Sequence, residues 1–233
     1  MDERIAIIRA AERKSHIDIY TTANLFQDGT WLKKPIKTVL DTLHIFEGYE
    51  KLRVLDLGSG IGRNCIPVAQ KFFNIDCQID CVDILDLAIE QLYQYSEQYN
   101  VRSCINGIVM PLENYHIKES SYDLIMAISS LEHVNSEETF FDALKAIQIG
   151  VNRGGLVCLV INSNVIEVDK ELDVKLDPKF EVNFPTDTLI AILRDVFRDW
   201  KFLKFTTVKQ QYDIPRESIV NLSTDVVTLV AQK

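Results

Sequence analysis

No apolar run in this chain is long enough to cross a bilayer. The longest, LVCLVI at residues 156–161, falls far short of the roughly 20 residues a spanning helix needs. The start does not read as a secretory leader either, since Asp2, Glu3 and Arg4 precede any apolar stretch. The expectation is a cytoplasmic protein with no membrane partner. Positive charge is scarce: Lys and Arg number 25 against 34 Asp and Glu, for a net charge of −9. Nucleic-acid binders need clustered Lys and Arg to neutralise phosphates, so no nucleic-acid partner is expected. The one basic cluster of note, Lys33 and Lys34, lies between Trp31 and Pro35 and reads as a solvated loop. Cysteines at zinc spacing are also lacking. The five, at 65, 77, 81, 104 and 158, are odd in number with mostly apolar neighbours. They read as reduced, buried thiols with no metal site.

What is present suits one domain of ordinary composition, 233 residues with 47% apolar and 25% charged. Ile5, Ile8 and Ala11 among charges predict a short amphipathic helix over residues 1–14. A polar-aromatic connector rich in turn residues follows, then a helical pattern at 36–46. From residue 51 strands and helices alternate. Strands are expected at 51–57, 78–84, 101–109, 122–128 and 156–161, with helices starting near Arg63, behind Leu85 and at Asn135. Asn135 with Glu138 three residues on resembles an N-cap with its reciprocal acid. Arg153-Gly154-Gly155 would stop that helix. Residues 172–184 alternate apolar with polar and read as an exposed ribbon or lid. A helix from Thr186 and two consecutive strands, 201–208 and 222–231, complete the chain. The fold expected is α/β: a doubly wound, mostly parallel seven-stranded sheet, helices on both faces, and an antiparallel C-terminal edge strand. Residues 1–48 would cap or lid the unit 49–233.

The stretch VLDLGSGIGRN at 54–64 closes the first strand with Gly58, Gly60 and Gly62. Such a turn lies at the carboxyl edge of the sheet, where open α/β folds bind ligands. The dinucleotide fingerprint G-x-G-x-x-G would need a small residue where Arg63 stands, and no Walker lysine is present. Asp56, just ahead of the turn, would repel a pyrophosphate and suits an ammonium group, unless it only caps the turn through backbone N–H groups. Asp83, at the end of IDCVDI, sits where an acid accepts both ribose hydroxyls, and it could also cap the following helix. A ligand with a ribose and a cationic end, without phosphates, describes S-adenosylmethionine.

Four stretches in order, VLDLGSGIGRN, IDCVDI, SSYDLIMAISSLEHV at 120–134 and NRGGLVCLVI at 152–161, resemble class I, Rossmann-like S-adenosylmethionine-dependent methyltransferases. The resemblance implies that Gly58, Gly60 and Gly62 lie beneath methionine and ribose, with Asp56 near the amino group. It implies Asp83 on the ribose hydroxyls, Ile84 against adenine, and Met110 and Leu112 on the ring's other side. Pro111 replaces an aspartate that many relatives carry for the adenine amino group. Ser129 would meet the methionine end through its backbone. Tyr20, with Phe26 and Trp31, would close over the cofactor or simply pack on the sheet edge; Tyr20 is included among the cofactor contacts.

In-line methyl transfer needs a base only when the acceptor must lose a proton. His133 in SLEHV is the histidine nearest the expected site, as base or as structural residue. The fourth strand ends without the Asn-Pro-Pro-aromatic turn of base or glutamine methylation, and no Pro-Cys pair is present. A small-molecule acceptor is therefore favoured. The tail, from FEVNF through RDWKFLKF to TLVAQK, resembles tellurite-resistance methyltransferases. A tellurite- or thiol-type enzyme is thus one alternative; a non-catalytic S-adenosylmethionine binder and an NAD-dependent oxidoreductase are others.

Overall fold

The computed structural model describes residues 3–216 and 218–233; Met1 and Asp2, the start of the expected first helix and cap, lie outside them. The chain opens with α1 (Glu3–Thr22) and α2 (Lys37–Thr42), then β1 (Lys51–Leu57), α3 (Cys65–Lys71), β2 (Asp76–Asp83) and α4 (Asp86–Gln98). β3 (Ile105–Val109), β4 (Tyr122–Ile128), α5 (Glu137–Gly150), β5 (Val151–Asp169), β6 (Val174–Leu176), α6 (Thr186–Val196), β7 (Lys201–Pro215) and β8 (Ile219–Gln232) follow. The sheet order is β3-β2-β1-β4-β5-β8-β7, with β6 paired to β5 off that path. β1 to β5 are parallel, and β8 runs antiparallel to both β5 and β7. The reversed strand is therefore one in from the edge, and edge strand β7 points the same way as β1 to β5. Among the described residues no helix is long and apolar enough to cross a membrane.

Central strands buried on both faces explain the near-continuous apolar runs. Along β1, Leu52 and Val54 pack with Val39, Phe46, Ile66, Val68 and Leu92 on one face. Leu55 and Leu57 pack with Phe140, Leu144, Leu189 and Leu193 on the other. Phe46, Phe140 and Phe197 are fully buried, and truncating any of them to alanine should cost about 3–5 kcal/mol.

Several elements differ from expectation. α1 continues eight residues past the expected end at 14, to Thr22. Buried Tyr20 holds its last turns, and the Thr21 and Thr22 hydroxyls donate to the Ile17 and Asp18 carbonyls at 2.8 and 2.6 Å; tertiary burial outweighs weak propensity. Ser136, not Asn135, caps α5, its hydroxyl accepting the Thr139 N–H at 3.1 Å. α5 ends at Gly150 rather than at 153–155, and Gly154 supplies a left-handed residue (φ +81°) inside the start of β5. β5, β7 and β8 all overrun their expected lengths, because pairing with β8 extends β5 as far as Asp169 opposite Val220. The ribbon reading of 172–184 holds only for its first half: Val174 is exposed, whereas Phe180, Val182 and Phe184 are buried. The Val182 N–H donates to the Glu132 carbonyl at 3.0 Å, which ties this segment to the turn after β4.

Candidate functional site

A cavity of about 760 Å³ opens at the carboxyl ends of β1, β2 and β4. Its floor is the turn of Gly58, Gly60 and Gly62, with φ of +77°, +54° and +101°. The Gly58 and Ser59 N–H groups donate to the Val82 carbonyl at 2.8 and 3.1 Å, laying the turn across the end of β2. A Cβ at Gly58 would meet Ser130 Cβ at 2.4 Å, and one at Gly60 would meet the Tyr20 hydroxyl at 2.7 Å. Gly62 does not line the cavity; its Cβ would strike Ile66 and Leu92 at 2.7 Å, so it serves the packing of helices beneath the turn.

Asp83 joins turn and helix. One carboxylate oxygen accepts the Gly60 N–H at 2.8 Å and the other the Leu85 N–H at 2.9 Å. Burial pushes its pKa up from the usual carboxylate value, with those two bonds opposing. Beside it Ile84 lines the cavity with 45% of its surface exposed. Leu112, Pro111 and Glu113 line the facing loop. Met110 does not; its N–H donates to the Asp83 carbonyl at 2.9 Å and its partly buried side chain packs against the core. Ser129 lines the cavity in a left-handed conformation (φ +53°) with its N–H on the Val160 carbonyl at 2.7 Å. A non-glycine residue held there is strained, as is common where backbone must face a ligand.

Asp56 is not in the cavity wall. It lies on the Leu52 and Val54 face of β1, 1% exposed, and neither carboxylate oxygen has an N–H or O–H partner, the Cys65 thiol being the one weak donor beside it. Burial, reinforced by the charge of Asp83 and opposed by Arg63, raises its pKa to about 7. Tyr20, 5% exposed, stands over Gly60 and groups with His16 and Trp31 at ring separations of 5.7 and 6.1 Å. Phe26 packs against Tyr99, away from this group, at 5.6 Å.

The far end of the cavity was less visible in the sequence. His133 Nδ1 lies 2.9 Å from Glu181 Oε2, and its ring stacks on Phe180 at 5.1 Å. Arg9 reaches Glu113 at 2.6 Å and Glu181 at 3.5 Å. Burial alone would lower the His133 pKa, but the Glu181 bond and the charges of Glu132 and Glu12 outweigh it, and the net shift is upward. Glu181, Arg9, Glu12 and Tyr212 were not anticipated. One signal existed: positions 9, 12, 13, 16 and 20 share one face of a helix, and all five line the cavity. Among the described residues no cluster of three or more His, Cys, Asp or Glu is placed to hold a metal ion.

Residues 54–155 match the family model described as methyltransferase domain. Over 99 residues the chain is 30% identical to the ubiquinone biosynthesis O-methyltransferase of Rickettsia akari, an alignment spanning 42% of this chain and 37% of that protein. The chain thus spans well under half the length of this curated relative. TehB from Haemophilus influenzae superposes with a TM-score of 0.64 at 21% identity, covering 85% of this chain and 62% of that one. The 1,6-didemethyltoxoflavin-N1-methyltransferase of Burkholderia thailandensis, solved with 1,6-didemethyltoxoflavin and S-adenosylhomocysteine, gives 0.57 at 16% identity over 98% of this chain and 88% of that one. At these identities the structural likeness is one of fold.

Proposed function

We propose, on the match of residues 54–155 to a methyltransferase domain, that this is a class I S-adenosylmethionine-dependent methyltransferase whose cavity binds S-adenosylmethionine and directs methyl transfer to a small-molecule acceptor. The observation that carries this reading is Asp83. Each of its oxygens accepts one backbone N–H and keeps a lone pair for one hydroxyl of a ribose diol. The surroundings fit the rest of the cofactor. Ile84 and Leu112 offer apolar faces to adenine, and the Met110 N–H steadies the Asp83 backbone. Gly58, Gly60 and Ser129 present backbone to the methionine end, and Tyr20 covers the turn. Asp56 acts through the field of its carboxyl beneath the glycines, with Gly62 preserving the turn's packing. The bound cofactor would supply an electrophilic methyl group on a sulfonium. The protein holds the acceptor in line and excludes water, and such positioning is worth about 7–11 kcal/mol. Residues 1–48 serve as a cap on 49–233, since α1 turns its charged face onto the cavity. The surface charge of −9 favours a small acceptor over nucleic acid, and a cytoplasmic setting accords with the reduced cysteines.

Calorimetry with S-adenosylmethionine, S-adenosylhomocysteine and NAD tests the reading: the first two should bind and NAD should not. Asp83→Ala should weaken cofactor binding at least tenfold; unchanged affinity removes the ribose role. A second reading, a tellurite- or thiol-type methyltransferase, is favoured by the order of segment 180–184, α6, β7 and β8. Mass spectrometry of methylated thiols, oxyanions and phenols separates the two readings, and persistent silence in all three would leave a non-catalytic binder.

A further inference from the structure

Beyond Ser129 the cavity continues between α1, segment 180–184 and β7, where Glu12, His133, Phe180, Tyr212 and Ile214 line it. The lining arginines here are already committed. Arg9 is held by Glu113 and Glu181, and Arg13 by Asp86 at 3.2 Å. Among the described residues Glu12 has His16 Nδ1, at 3.8 Å, as its one ion-pair partner, and its charge reaches His133, Glu167 and Tyr212. Behind the wall Glu132 and Glu167, 1% and 0% exposed, each leave one carboxylate oxygen unpaired. Arg216 is taken by Glu167 at 2.8 Å. Among the described residues the other lining arginine, Arg63, lies at the glycine-turn end over the Trp31 ring at 5.0 Å, so an anion entering here would meet acids and no uncommitted arginine, while a ring would meet Phe180, Tyr212 and Ile214. Glu181 accepts from His133 Nδ1, which leaves Nε2 as the basic nitrogen.

Resting on the methyl-transfer reading, we propose that the acceptor is a neutral or cationic ring compound bearing an acidic hydroxyl, selected by Glu12 and deprotonated by His133. The O–H bond breaks and its proton passes to Nε2. The freed electron pair forms the O–CH3 bond, and the S–CH3 pair returns to sulfur, leaving a neutral thioether. Glu181 and Glu12 stabilise the imidazolium, with Glu132 of the same turn adding its charge; Arg9 of α1 faces it through Glu181, and Tyr212 of β7 lines the same end of the cavity.

Three phenols on one scaffold test this: tyramine as cation, para-hydroxybenzyl alcohol as neutral and para-hydroxybenzoate as anion, beside tellurite and dithiothreitol. Calorimetry with S-adenosylhomocysteine on the same samples reports the cofactor site. The cation and neutral phenol should show kcat/KM at least tenfold above the anion. Glu12→Gln should shrink that ratio at least threefold without changing S-adenosylhomocysteine affinity. His133→Gln should lose about 100-fold in turnover and the acidic limb of kcat/KM against pH. Glu181→Gln keeps the imidazole and should move that limb to lower pH. Preference for the anion or tellurite, no phenol methylated by protein that binds S-adenosylhomocysteine, or an unmoved limb in both variants overturns the proposal. Protein that binds neither S-adenosylmethionine nor S-adenosylhomocysteine overturns the underlying reading as well.

Discussion

Asp56 and Asp83 are both acids at the carboxyl ends of central strands, and their surroundings separate them. Asp83 keeps two backbone N–H donors and faces the cavity; Asp56 has no N–H donor and faces the core. The consequence for stability follows from the raised pKa, about 7 when folded against an ordinary 3.8. Between those values the folded protein retains a proton that the unfolded chain has released. Stability is therefore lost as pH rises through this window, and the loss is complete above about 7. Asp56→Asn removes the ionisation while leaving an unpaired amide, so the variant should exceed the parent by on the order of 2 kcal/mol at about pH 8 and not at about pH 4. Urea unfolding at the two pH values checks this; a parent with flat stability across the window contradicts it. The sequence shows an acid two residues ahead of the turn and suggests a carboxylate projecting toward a ligand; which side of β1 it faces depends on strand phase relative to the two helix layers, and it faces the core.

At the scale of elements, α1 shows the same limit. Its apolar residues predicted a short amphipathic helix, yet among its buried side chains are only Ile5, Ile8 and Tyr20, and its charged stripe faces inward to the cavity. Ion pairs therefore do much of the docking. Arg9 bridges Glu113 and Glu181, whose side chains are 7% and 2% exposed. Arg9→Gln would leave both acids short of their cation and should cost about 1–3 kcal/mol, the penalty of a buried polar group left unsatisfied. Hydrogen exchange should rise at least tenfold in residues 3–22 while β1 and β4 stay protected; unchanged exchange in α1 would show that packing alone holds it. Segment 180–184 was misread for a related reason. Strict alternation marks a two-faced strand-like segment, but only the neighbouring α5 and the turn after β4 decide that Val182 and Phe184 are covered.

For the whole molecule, the strand order makes the two ends of the chain unequal. β8 is inserted between β5 and β7, and Val226, Val227, Leu229, Val230 and Ala231 enter both core layers. Removing residues 219–233 should abolish cooperative unfolding. Removing the first 22 should leave a cooperative transition with reduced stability and weakened cofactor binding. Circular dichroism during heating reads both outcomes, and a cooperative melt without β8 would contradict the first. The alternation of strands and helices, the glycine turn, Asp83 and the floor of the cavity were legible from the sequence alone. They depend on local signals: apolar period, glycine spacing and a short acid-bearing strand end, each acting over a few residues. Tertiary structure decided the rest. His133 meets Glu181 across 48 residues and Arg9 meets Glu113 across 104. Such meetings follow from strand order, and strand order is set by which long-range pairings bury both faces of the sheet at once.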